Sequence, residues 1–591
     1  MQQQAQQFVT ERQHLVRVAL GQVPADLVIT RACLLNTYSG EFMPDTAIAV
    51  SRGRVARLGS CDEVIGPETE VIDADGLYAV PGFIDAHYHI ESSLLSPRRH
   101  AEATLPLGLT SLFHGTHEIT NVLGTEALEW LAACSETLPQ RLYLAVSSAT
   151  PPSTFETTGG YIGATEFLQA LPLAAGLGEV MDFPRLVDGD ARLWGVIAAA
   201  KTAGQIVEGH GAYSPPQADA FAAAGISSSH SIRLGQDAIE LLRRGCDVQI
   251  QCERARDVLA LLLKQGFRNW HRIGLCVDDR RVDAILDIGA IDHEIRVAID
   301  MGVDIPTAYQ MATINNAQHW HREDDIGVIA PGRHADILLL SDLSRVNIAR
   351  VIAGGVTVAM DGQLVRPLSA PEAPAALTNS MHLARPITPE DLRVGAPIEH
   401  GRVRVPVLQP GYREHDLEPL LSELPVIDGF IQRDLANGVN KVAIIERHRG
   451  SGNISTGFWR LGFRHGAVAM SILHDSHNIS VVGATDAEMA LAANRVAALQ
   501  GGIVVVRGDT VLAEVPLQVG GLMSDQPVAE VAAAVRQVRD AAQGLGPGEL
   551  LGPDPLFRLT FIFLTCHPYT YTQTDQGVFA TRTGKRLPVA V

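Results

Sequence analysis

The chain lacks most of what would tie it to a membrane, a nucleic acid or an oxidising compartment. No apolar stretch in its 591 residues approaches the ~18 needed to span a bilayer. The opening MQQQAQQFVTERQHL has no apolar core of a secretory leader, so residues 1–24 read as a short helix or a disordered lead. Cysteine is scarce. The seven are scattered, odd in number and without a CxxC pair, which argues against a disulfide framework and leads us to expect a reducing cytoplasm. The formal net charge is −19 with no run of Lys or Arg, which argues against a phosphate backbone as partner. Neutral or cationic small molecules fit it better. Internal repeats are absent. So are the glycine and lysine spacings of nucleotide-binding loops, since neither Gly450-Ser451-Gly452-Asn453 nor Gly501-Gly502 completes one.

What is present is the make-up of a folded globular protein, 46% hydrophobic and 19% charged, too long for one ordinary core. Short β-rich runs broken by turns fill residues 25–80 (ADLVITRACLLNT, TAIAVSRGRVARLGS, EVIDADGLYAVPG). Over residues 81–324, strand-like runs (TSLFHG, RLYLAVSS, GQIVEGHG, DVQIQCE, IGLCVDD) alternate with helical stretches such as DAIELLRRG and RDVLALLLKQG. This predicts an α/β fold with a parallel sheet, a (β/α)8 barrel of TIM type. Strand-like runs return over 325–370 and are expected to pair with the opening ones, so that one small β-sandwich is built from both flanks of the barrel. LSAPEAPAALT reads as a linker, placed at 371–380, and residues 381–591 as an additional C-terminal α/β domain.

The strongest local signal is PGFIDAHYHIESS. His87 and His89 are two apart on a predicted strand, so both imidazoles point to one side. They lie at the strand's C-terminal end, where barrel enzymes carry their chemistry. A lone His-x-His pair is more often structural, but its context here favours a metal pair. His210 closes the run QIVEGHG, His230 follows GISSS, and Asp278 ends IGLCVDD, each at a candidate strand end. Imidazole with carboxylate suits Zn, Mn or Fe, and four His with one Asp exceed a single tetrahedral site. Two ions about 3.5–4 Å apart would need a bridging carboxylate, and Glu179 in AGLGEVMDFP falls between these ligand groups in chain order.

Together these segments resemble the amidohydrolase superfamily and, more narrowly, the bacterial adenine deaminases. PGFIDAHYHIESSLLSP is similar to that family's first-strand motif, THEI to its second, and TPPSTFETTGG, GEVMDFP, EGHGA and CVDDR to segments after later strands. RHRGSGNISTGFWRLGF and HDSHNISVVG resemble its C-terminal segments, so the likeness spans nearly the whole chain. Two segments depart from it: FHGTHEI stands in place of Asp-Pro-His-Glu-Ile, and TPPSTFETTGG is slightly longer than its counterpart. The resemblance implies hydrolytic deamination of adenine at two divalent ions, Mn or Fe preferred and Zn admissible. His87, His89 and Asp278 would surround one ion, His210 and His230 the other, with Glu179 shared. Many relatives bridge their metals with a carboxylated Lys; here Lys201 lies inside the helical run VIAAAKTAG and is assigned to the surface.

On this reading Asp278 acts as general base and then acid. Glu91, His117 and Glu118 are candidates for protonating or orienting the purine, the bland role for the two glutamates being to brace a ligand histidine. Asp279 is expected to cap the next turn in preference to touching substrate. The polar run His474 to Asn478 reads equally as a surface turn or as a loop over the barrel mouth. The expected partner is a free purine base, adenine, with no nucleic acid and no membrane, and a homo-oligomer is expected. The rivals are another cyclic amidohydrolase or an aminopurine or pyrimidine deaminase with the same centre, and a metal-free scaffold of the same fold.

Overall fold

Apolar runs buried on both faces belong in the middle of a layered α/β fold, and eight parallel strands occupy that place here. In the computed structural model, which describes residues 2–211, 214–410, 418–566 and 571–590, these are β1 (Phe83–Tyr88), β2 (Leu109–Gly115), β3 (Arg141–Ser147), β4 (Ala174–Val180), β5 (Ile206–Gly209), β6 (Ser228–Ser229), β7 (Asp247–Ile250) and β8 (Ile273–Leu275). Each pairs in parallel with the next. The ends of the series meet at a parallel bridge between Tyr88 and Asp278. There Asp278 N donates to His87 O at 3.0 Å and His89 N donates to Asp278 O at 3.3 Å. Helices cover the outside with their apolar stripes: Gly235–Arg243 buries Ala238, Ile239 and Leu241, and Arg256–Lys264 buries Val258, Leu259 and Leu262.

The base of the barrel is plugged by Trp320, whose ring stacks on Phe113 at 4.5 Å within a cluster that includes Ile84, Ala145, Ile206 and Ile326. Beside it, Asn316 Nδ2 donates to Ile84 O at 2.7 Å and to Leu275 O at 2.9 Å, stapling β1 to β8 below the site. Gly274 makes the space for this, since a Cβ there would lie 2.0 Å from Asn316 Oδ1.

The strands that flank the barrel in sequence pair into one nine-stranded sheet. The junction is Tyr78–Pro81, which runs antiparallel to Ile337–Asp342 with Ala79 opposite Leu339. Its own core includes Leu27, Ile29, Ile48, Ile337 and Leu339. Ala375–Thr378 forms a helical turn within the stretch expected as linker. A second nine-stranded sheet follows, with helices Asp486–Ala498 and Val528–Gly544, and then a three-stranded sheet ending at Lys585–Arg586. Val528–Gly544 packs against the barrel helix Val282–Ile288, with Arg539 Nη1 donating to Asp283 Oδ2 at 2.6 Å and Arg536 to Asp287 at 2.7 Å. Gln2–Ala19 is helical, and no helix among the described residues is long and apolar enough to cross a membrane.

Asn316→Ala would strip two buried carbonyls of their donor, a loss of about 1–3 kcal/mol. A lower urea midpoint with unchanged slope is the expected result; an unchanged midpoint would mean that β1 and β8 are held together without this side chain.

Candidate metal centre

The centre is built from strand ends. His87 lies near the end of β1 with its Nδ1 2.9 Å from Glu208 Oε2 on β5, and His89 donates from Nδ1 to Gly115 O at 3.0 Å on β2. Each ring thus spends its Nδ1 proton on an acceptor and turns Nε2 toward the barrel axis. The two Nε2 atoms are only 2.8 Å apart. Gly115 is required for this, because a Cβ there would sit 2.6 Å from His89 Cε1.

Glu179, near the end of β4, divides its carboxylate. Oε1 lies 3.5 Å from both His87 Nε2 and His89 Nε2. Oε2 lies 2.6 Å from His210 Nδ1 and 3.1 Å from His230 Nε2. Asp278 brings Oδ1 to 3.4 Å from His89 Nε2 and 3.7 Å from His87 Nε2. Its Oδ2 accepts from Gln251 Nε2 at 2.6 Å, and its backbone holds a φ of 61°. Donors about 2.1 Å from a cation in tetrahedral array stand about 3.4 Å from one another. The carboxylate oxygens of the first cluster stand near that spacing from both imidazoles, at 3.4–3.7 Å, while the two Nε2 atoms are closer at 2.8 Å, and nitrogen lone pairs turned toward each other invite a cation beside them. The chemistry of both clusters, imidazole nitrogen and carboxylate oxygen, fits divalent metal ions. All six residues expected as ligands are therefore brought together, in two groups that share Glu179.

The electrostatics follow from burial. For Asp278 burial favours the neutral acid, yet His230, His87 and His89 overcome it and hold the carboxyl at about 2. In Glu179 burial is likewise outweighed, by His230, His210 and His87, and the carboxyl stays well below the usual range. Glu118 differs: burial, offset in part by His474 and reinforced by Glu91, pushes it up to about 8.

Around the clusters, Glu91 Oε2 faces His114 Nε2 at 3.4 Å, a bracing position. Glu118 Oε1 lies 3.9 Å from His89 Nδ1 and 3.3 Å from Ser92 Oγ. The His117 ring packs against His89 with centroids 4.6 Å apart. Asp279 does not cap the helix Val282–Ile288, which begins without a side-chain cap. It accepts from the Ser92 hydroxyl instead, because the Tyr88–Asp278 bridge brings the turn after β1 alongside it. Lys201 is exposed, as expected, on the helix Ala191–Thr202.

The sequence reading missed Glu208, Gln251 and Asp85. Asp85 Oδ1 accepts from His87 N at 3.1 Å and Val277 N at 3.2 Å, and burial pushes its carboxyl up to about 8. One signal for two of them was available: a charged residue inside an otherwise apolar strand, as in IVEG and FIDA, must have a buried partner.

The amidohydrolase family model matches residues 78–358, and the adenine deaminase C-terminal domain model matches residues 418–585. The adenine deaminase of Moorella thermoacetica is 40% identical over 544 residues, covering 90% of this chain and 91% of that protein. The adenine deaminase of Rubrobacter xylanophilus is 39% identical over 547 residues, 90% of each chain. Among solved structures, a beta-aspartyl dipeptidase from Fervidobacterium islandicum AW-1 aligns over 57% of this chain and 97% of its own with a TM-score of 0.44 and 16% identity.

Glu208→Gln keeps a side-chain acceptor near His87 but removes the charge that makes its imidazole a strong donor. Divalent-metal affinity should fall about 10–100-fold in competition with a chelator. Equal affinity would remove Glu208 from any role in setting the His87 ring.

Proposed function

The chain belongs to the adenine deaminase family of amidohydrolases, and from that premise we propose that it hydrolyses adenine to hypoxanthine and ammonia at the centre between β1, β4, β5, β6 and β8. The observation that carries the metal assignment is the divided carboxylate of Glu179, with one oxygen toward His87 and His89 and the other toward His210 and His230. We assign His87, His89 and Asp278 to one divalent ion, His210 and His230 to a second, and Glu179 to both. The imidazole and carboxylate donors suit Mn, Fe and Zn alike, and the preference for Mn or Fe rests on the family resemblance. Bound there, such ions lower the pKa of water toward ~7 and supply hydroxide at neutral pH.

The chain's own residues divide the remaining work. On this reading Asp278, ionised and held by Gln251, takes the proton of the attacking water and returns it to the departing amine. His117 and Glu118, buried beside the clusters, are assigned to hold or protonate the purine ring, while Glu91, 3.4 Å from His114, takes the bracing role. Burial of these groups keeps bulk water from the reacting atoms.

We also place the chain in a reducing cytoplasm, on the support of seven unpaired cysteines, and expect a symmetric homo-oligomer, the commonest state of such enzymes.

Metal-reconstituted protein should release ammonia from adenine with loss of the aminopurine absorbance. Asp278→Asn should lower kcat by about 10²–10⁴-fold, and near-wild-type turnover would take that residue out of the mechanism. Formation of the ring-opened carbamoyl product from a hydantoin or dihydropyrimidine, with no ammonia from adenine, would move the chain to ring-opening chemistry.

A further inference from the structure

We propose that Asp475, from the C-terminal region, is a positioning residue that holds the His117 imidazole against the metal centre. The inference rests on the deaminase reading of that centre. Asp475 lies in the run His474-Asp475-Ser476-His477-Asn478, between the strands Ala467–Met470 and Ile479–Gly483. Every residue of the run is buried, Asp475 to 1% exposure. Five consecutive polar residues are not buried as a surface turn.

Asp475 Oδ1 lies 3.5 Å from His117 Nε2 and 3.5 Å from His474 Nδ1. The opposite nitrogen of His117, Nδ1, makes no hydrogen bond and lies 3.8 Å from Glu179 Oε1. One imidazole thus spans from a carboxylate of the C-terminal region to the carboxylate shared by the two clusters. His474 completes the frame: its ring stacks on Phe561 at 4.4 Å, and its Nδ1 lies 3.5 Å from Glu118 Oε1.

The run is fixed from three sides. Arg447 Nε donates to His477 O at 2.5 Å, and His448 Nε2 lies 2.7 Å from Ser476 O. Asn478 Nδ2 donates to Thr157 O at 2.9 Å, in the loop after β3. Arg447 is itself fully buried, its other nitrogens meeting Ser380 and Gly520. Burying so many charged and polar groups adds little stability compared with apolar side chains of similar volume. Their value is in placing Asp475.

The test compares Asp475→Ala, the near-isosteric Asp475→Asn, His117→Ala and the double variant Asp475→Ala/His117→Ala. For Asp475→Ala we expect kcat on adenine to fall about 10–100-fold with two metal equivalents per chain retained. Asp475→Asn, which keeps an acceptor oxygen, should recover part of the loss. The double variant should be no slower than His117→Ala, because the carboxylate acts through that ring. A crystal structure of Asp475→Ala should show the His117 ring displaced while His87, His89 and Glu179 stay in place. That readout needs no turnover, so an inactive wild type would overturn the assigned reaction, while the position of the ring would still decide whether Asp475 holds it. Additive losses in the double variant, an undisturbed His117 ring, or loss of a metal equivalent on changing Asp475 would each overturn it, the last by making Asp475 a ligand.

Discussion

The centre depends on the pair of backbone hydrogen bonds that joins Asp278 to His87 and His89 and so closes the barrel. The same contact that turns an open sheet into a ring also sets the carboxylate of Asp278 beside two imidazoles. Closure leaves Asp278 in a left-handed backbone conformation, which a non-glycine residue holds only where its surroundings over-determine it. Here the surroundings are the two backbone bonds and the Gln251 amide. A slip of one residue between β1 and β8 would turn His87 and His89 to the other face. The stapling of both strands by Asn316 at the opposite end opposes that slip.

The chemistry of the centre works against its stability. Glu179, Asp278, Glu118, Glu91 and Glu208 are buried within one neighbourhood together with His87, His89, His117 and His230, and buried charge is costly unless paired. The pairing is unequal. Glu179 and Asp278 face several imidazoles and remain ionised, whereas Glu118 has burial and another acid against it and rises to about 8. Below the site the aromatic layer of Trp320, Phe113 and Tyr143 packs the barrel, with the Trp320 indole donating to Ala86 O, and its apolar burial offsets part of this cost.

Much of this was legible in the sequence, for an identifiable reason. His87, His89, His210, His230 and Asp278 each end an apolar run, and in a parallel barrel the ends of runs converge, so local pattern was enough to nominate them. Glu179 was harder. Nothing local separates it from a loop glutamate, and family likeness brought it forward. Glu208 was overlooked because it lies within its run, where an apolar residue is the default. The surface-turn reading of His474 to Asn478 failed on a different ground: the burial of that polar loop comes from Arg447, Phe561 and Thr157, all distant in the chain, and no periodicity reports a contact of that kind. The expected cap at Asp279 failed because its carboxylate is taken by the hydroxyl of Ser92, far away in sequence.

These long-range contacts change what counts as the active domain. The barrel loop after β3 is gripped from outside the barrel. Asp575 accepts from Thr157 N at 2.9 Å and Thr157 Oγ1 at 2.6 Å, Phe155 stacks on Phe579 at 4.7 Å, and Arg449 donates to Thr158 O at 3.2 Å. The wall beside His117 is therefore set by how the C-terminal region docks, whereas the two imidazole clusters lie at or just beyond the ends of barrel strands. Closing the space around the clusters excludes water and strengthens each electrostatic contact within it. The imidazole donors come from the barrel, but the enclosed side of the centre belongs to the assembled chain, whose C-terminal region shares one continuous apolar core with the barrel.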